Sequence, residues 1–254
     1  MRSFFSGLRK RNGILYWYGW LSLLGALVCG LMTRLNTNNI VLGIDAWIKP
    51  AKFFFSIWIF CWTMAWYLWY LDAPKKQKSY SWMVVIVMSI ELSIIAWQAA
   101  NGRLSHFNIS TPLYARLFDI MGGSIVLLTL WTGYIDYLFF KKKFPSLKPA
   151  YVWGIRLGIL FFVIFSLEGG VMAGLLKHTV GEADGGPGLP VFNWSRYHGD
   201  LRISHFFGIH SLQVLPLTGY FLAGNKKQLF LFAALWFTWV LVLLVQALYG
   251  IPAI

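Results

Sequence analysis

The sequence predicts an all-α integral membrane protein: a bundle of seven transmembrane helices with its N-terminus cytoplasmic and its C-terminus extracytoplasmic. Three observations predict it. Long apolar stretches rich in Trp and Phe alternate with short polar gaps. Of 254 residues, 58% are hydrophobic and 12% charged, where a soluble domain carries about 25% charged residues. Lys and Arg crowd every second gap, at Arg9-Lys10-Arg11, at Lys75, Lys76 and Lys78, at Lys141-Lys142-Lys143 with Lys148, and at Lys226-Lys227. Gaps of that kind lie on the cytoplasmic side of a bilayer.

A membrane-spanning helix needs about 20 largely apolar residues. Seven stretches supply them: 14–34, 51–71, 80–100, 112–140, 150–176, 201–223 and 228–249. The first mimics a signal peptide, with basic residues before an apolar run from Ile14 to Met32. That run exceeds the roughly 7–15 residues of a secretory core and no small-residue cleavage site follows, so it reads as an uncleaved span. Pro50, Pro112 and Pro149 sit near helix starts, where a missing N–H costs nothing. Ser110-Thr111 and Asp200 are the matching N-caps. The fourth span is longer than the bilayer requires and is expected to tilt or protrude. In the fifth, Gly154-x3-Gly158 and Gly170-x3-Gly174 allow close helix approach, which makes that span central. In the sixth, Pro216 deprives the Leu212 carbonyl of its helical donor and should kink the chain there.

The net charge of +13 would suggest nucleic acid in a soluble protein. Here the cations sit at span ends, where they hold orientation and touch anionic lipid headgroups. The partners expected are the bilayer and a small apolar or lipid ligand, with no nucleic acid. Tyr16-Trp17-Tyr18 and the run from Trp66 to Tyr70 read as interfacial aromatic belts. Cys29 and Cys61 fall within spans and read as packing thiols.

Ionisable residues inside spans are costly and point to function. Counting about 1.5 Å per residue from the outer span ends puts Glu91 roughly 13 Å deep, Asp119 roughly 10 Å, Glu168 roughly 12 Å, and His205 and His210 roughly 7 and 15 Å. Four helices thus place three carboxylates and two imidazoles in one layer of the outer leaflet. Arg116 and Asp119, three apart, read as a local structural pair. His205 and His210 lie about 140° apart around a regular helix and do not present one face to one metal. The same layer could serve only as hydrogen-bonding between helices.

Segment 177–199 is the third outer loop, rich in Gly and Pro and holding His178 and His198. Its length and its place above the layer suit a lid or pocket wall. The second outer loop adds His106 and Asn108. Walker, His-Glu-x-x-His, Gly-x-Ser-x-Gly and Cys-x-x-Cys-His motifs are absent.

Three functional classes fit. The favoured one is an outward-facing intramembrane metal enzyme, with zinc or iron held by His205, His210 and Glu168. Glu91, Asp119 and Glu168 would do its acid–base work on a lipid or small apolar substrate. The alternative is a b-type haem protein, in which His106, His178 or His198 supplies an imidazole from a loop, because only one span carries His. The third class is a proton-coupled transporter. Against it, the polar layer stops in the outer half with no inner path visible. The whole chain, 1–254, reads as one polytopic domain of a cell or inner membrane, its site on the extracytoplasmic side.

Overall fold

The computed structural model of the protein describes residues 2–35 and 39–253. Part of the first outer loop, 36–38, lies outside the described residues. The fold is helical, and among the described residues six helices are long and apolar enough to cross a membrane. Two compact units divide the chain, Met1–Leu128 and Thr129–Ile254.

The first unit opens with α1 (Arg2–Arg11) and α2 (Gly13–Leu35). Asn12 separates them and starts α2, because its Oδ1 accepts the Leu15 N–H at 3.1 Å. A short hairpin of β1 (Ile40–Val41) and β2 (Ile44–Asp45) leads to α3 (Ile48–Leu68). A 3-10 turn, Trp69–Leu71, ends α3, and α4 (Pro74–Ala100) follows. The chain then enters α5 (Pro112–Lys141), which runs on into the second unit. The expected cap on α5 is present: Thr111 Oγ1 accepts the Tyr114 N–H at 3.3 Å.

α1 precedes the first expected span and is too short to cross a membrane. It is amphipathic, and Leu8 is fully buried while Arg9 and Lys10 are exposed. Phe5 packs its ring edge-on to Trp62, and Phe4 stacks on Trp66. Of the expected belt residues, Tyr16, Tyr18 and Tyr67 are buried. Trp62 lies among Tyr16, Trp20 and Trp58 in an internal cluster, whereas Trp17 and Trp69 remain exposed. Trp62 reaches Tyr16 because residue 19 is glycine, and a side chain there would collide with the indole.

The second unit contains the rest of α5, then α6 (Pro149–Leu175), a braced loop, α7 (Leu201–Ile209), α8 (Ser211–Leu217), a π-helical turn (Thr218–Leu222) and α9 (Lys226–Leu248). Its core gathers Phe161, Phe165, Leu215, Ala233 and Val240. The glycines at 154 and 158 do what their spacing predicts. A Cβ on Gly154 would stand 2.6 Å from the Leu215 carbonyl oxygen, and one on Gly158 2.9 Å from that of Ser211. Gly170 and Gly174 have open space instead.

The stretch 201–223 departs from expectation. It is not one spanning helix but two short helices and a π turn. The break stands at His210, six residues before Pro216. His210 has φ −75° and ψ −4°, a flattened conformation that ends α7. Its carbonyl accepts from both Gln213 and Val214, which restarts the helix as α8. Pro216 is tolerated inside α8, its ring set over Gly158. The chain absorbs the disturbance just after it, where Ala223 donates to the Thr218 carbonyl at 2.8 Å, a five-residue closure.

Candidate functional site

Glu168 and His205 meet in the second unit. Glu168 is in the C-terminal third of α6 and buried; His205 is on the second turn of α7. The Glu168 Oε2 lies 3.1 Å from His205 Nδ1. Ser204, fully buried, donates to Glu168 Oε1 at 3.4 Å. Gly169 makes room for the imidazole, since a Cβ there would sit 3.2 Å from His205 Cε1. Asp200 aims this part of α7. It is the expected N-cap, accepting the Arg202 N–H at 3.0 Å, and it also accepts the Ser195 N–H at 2.7 Å.

With an ionised carboxylate and a neutral imidazole, Nδ1 would donate to Glu168 and Nε2 would keep its lone pair. Among the described residues Nε2 has no hydrogen-bond partner. The His205 side chain is 29% exposed, against 6% for Glu168. The carboxylate stands behind, and the imidazole edge is accessible. That is how a base is held by an orienting acid, and also how a coordinating imidazole is held.

His210 does not join this pair. Its Nδ1 lies 3.1 Å from Gln213 Oε1, and its ring packs against Phe206. The expected triad of His205, His210 and Glu168 is therefore only a pair. Among the described residues no three His, Cys, Asp or Glu side chains gather as a metal ion requires.

The loop histidines have partners in their own loop. His178 Nδ1 lies 2.6 Å from Asp184 Oδ2, and the same carboxylate accepts the His178 and Thr179 N–H groups. Burial pushes the Asp184 carboxyl up, but these hydrogen bonds and the His178 charge outweigh it and hold it well below the usual carboxylate range. His198 Nδ1 stands 2.9 Å from Glu182 Oε2, close enough for an ion pair though not aligned for a hydrogen bond. The sequence analysis gave Glu182 and Asp184 no role; the signal available was their spacing of four and six residues from His178. The loop is braced at both ends. β3 (Thr179–Val180) pairs with β4 (Gly199–Asp200), Gly188 bridges to Ser195, and Gly199 packs on the Ala247 backbone at the end of α9.

In the first unit Glu91 is 3% exposed on α4, and its Oε1 has no hydrogen-bond partner. Asp119 and Arg116 on α5 are both exposed, and among the described residues they form no ion pair. His106 lies beside Ser105 Oγ at 3.0 Å and against the Phe53 ring. Asn108 Nδ2 donates to Gln98 Oε1 at 3.5 Å.

The second unit holds a further buried carboxylate, that of Asp136. Asp136, near the C-terminal end of α5, is 4% exposed, and among the described residues its Oδ1 has no hydrogen-bond partner. The nearby Arg156 donates instead to the Phe139 and Lys142 carbonyls, at 3.0 Å each.

The chain matches no protein-family model, no curated protein and no solved structure.

Proposed function

We propose that this polytopic membrane protein carries an intramembrane acid–base site in which His205 is the base and Glu168 its orienting carboxylate. The observation that carries the reading is the 3.1 Å contact between Glu168 Oε2 and His205 Nδ1, with Nε2 left to take a proton from a ligand. The substrate class is a small apolar or lipid molecule bearing a hydroxyl or similar donor. The basic gaps support an N-terminus inside, the segment 201–222 as a seventh crossing, and His205 toward the extracytoplasmic side. Cysteines placed at Lys76 and Ser195 should then label from opposite sides of intact cells.

The test is the His205 tautomer, read by nitrogen NMR on isotopically labelled protein in lipid nanodiscs. The wild type should show Nδ1–H with an unprotonated Nε2, and Glu168→Ala should lose that preference. An Nε2–H tautomer in the wild type, or no response to Glu168→Ala, would overturn the assignment. The absorption spectrum of the same sample separates base from haem ligand. A Soret band would give His205 to haem, whose axial imidazoles are held through Nδ1 in the same manner.

One observation favours proton-coupled transport as the second reading. Asp136 provides the buried inner carboxylate whose lack counted against a carrier. Asp136→Asn in proteoliposomes should abolish any proton flux that His205→Gln also abolishes; flux that survives both would dismiss this reading.

A further inference from the structure

One end of the first unit is strongly basic, and its cations come from two distant segments. Arg9 and Lys10 are exposed at the end of α1, and Lys75 and Lys78 are exposed in the first turns of α4. A buried hydrogen bond holds the two segments together: Asn12 Nδ2 donates to Ser81 Oγ at 2.8 Å. Arg11 pins the same end, its guanidinium 3.9 Å from the Trp66 ring centroid and within 3.4 Å of the Trp66 carbonyl. Asp72 is the one acid in the intervening turn.

The surroundings of these cations decide what they bind. Trp17, Trp69 and Trp82 are each at least half exposed. Arg9 sits 5.4 Å from the Trp17 ring centroid, and Trp82 is one helical turn beyond Lys78. Cations set among exposed indoles match a headgroup above an acyl chain. A soluble acidic peptide or a nucleic acid would leave those indoles in water. The Asn12–Ser81 hydrogen bond ties the two basic segments to the same end of the unit.

We infer that the α1–α4 end of the first unit is a binding site for an anionic phospholipid, with Arg9, Lys10, Lys75 and Lys78 on the phosphate and the exposed tryptophans against the chains. This goes beyond the acid–base reading and does not depend on it.

The experiment is native mass spectrometry of the full chain released from vesicles of phosphatidylcholine and phosphatidylglycerol in equal parts. The wild type should retain phosphatidylglycerol in preference to phosphatidylcholine. The variant Arg9→Gln/Lys10→Gln/Lys75→Gln/Lys78→Gln should lose that preference, by about fivefold for each charge removed. A control, Lys141→Gln/Lys143→Gln/Lys226→Gln/Lys227→Gln, removes as many exposed cations elsewhere and should keep it. All eight side chains are exposed, so both variants should melt as the wild type does. Equal loss in the two variants would reduce the effect to bulk charge and overturn the site. So would a wild type without preference, or displacement of the lipid by millimolar inorganic phosphate.

Discussion

Gly154→Ala and Gly170→Ala place the same methyl group on the same helix, with opposite expected outcomes. A Cβ at 154 would meet the Leu215 carbonyl oxygen at 2.6 Å and the Pro216 Cα at 2.8 Å. Both are backbone atoms, so no side chain can swing aside. Overpacking of this kind costs about 1–3 kcal/mol. Against it stands the gain from replacing a helical glycine by alanine, about 0.5–1 kcal/mol. Gly154→Ala should therefore be destabilised, by up to about 2.5 kcal/mol net. At Gly170 there is nothing within 4 Å, and only the gain remains, about 0.5–1 kcal/mol of stabilisation. The two variants should straddle the wild type in thermal melts in detergent, several degrees apart. Equal melting temperatures, or Gly170→Ala the less stable, would refute the close approach of α6 and α8.

Asn12→Ala removes both the cap on α2 and the donor to Ser81, and should cost about 1–2 kcal/mol in the same melts. Asn12→Asp keeps an acceptor for the Leu15 N–H and should recover part of the loss; no difference between the two would argue against the cap. For the outer loop, the folded Asp184 carboxyl titrates below its ordinary value. Its contribution is complete above the unfolded value of about pH 4 and is lost as pH falls from there through the folded value. Limited proteolysis of 177–199 should accelerate in that acid window in the wild type, while Asp184→Asn should be open already at neutral pH. A wild-type loop equally resistant across the window would exclude the role given to this carboxylate.

The helices were legible where the signal is local. Apolar run length and flanking charge place α2 at Gly13–Leu35 against an expected 14–34, and α5 at Pro112–Lys141 against 112–140. The N-caps at Thr111 and Asp200 and the close approach at Gly154 and Gly158 could also be read, because each needs only a few neighbouring residues. What depends on distant neighbours was hidden. α1 buries Leu8 only because α2 and α3 are there to cover it. The break at His210 is invisible to hydropathy, since the window 201–223 averages apolar despite Ser211 and Gln213 beside it. In the site, shared depth ranked His210 ahead of His205 as the partner of Glu168, whereas the imidazole beside Glu168 is that of His205, because the break at His210 turns its ring to Gln213. The loop pairs His178–Asp184 and His198–Glu182 form through a backbone path that passes Leu176 at φ 52° and Gly181 at φ 102°, a turn that composition alone does not specify.

Glycine against carbonyl leaves no rotamer to change. Gly154, Gly158 and Gly219 all rest on main-chain atoms across the α6 contact, so α6, α8 and the π turn are geared together and travel as one plank. α7 meets α6 differently, through Phe165 in the notch at Gly208, and a ring can turn. The flattened residue at His210 joins the geared part to the ungeared part. Any stroke that carries His205 away from Glu168 would therefore have its pivot at His210. Spin labels on α7 and α8 should then report a changing angle between them while α6 and α8 keep their spacing; a spacing that changes would place the pivot elsewhere.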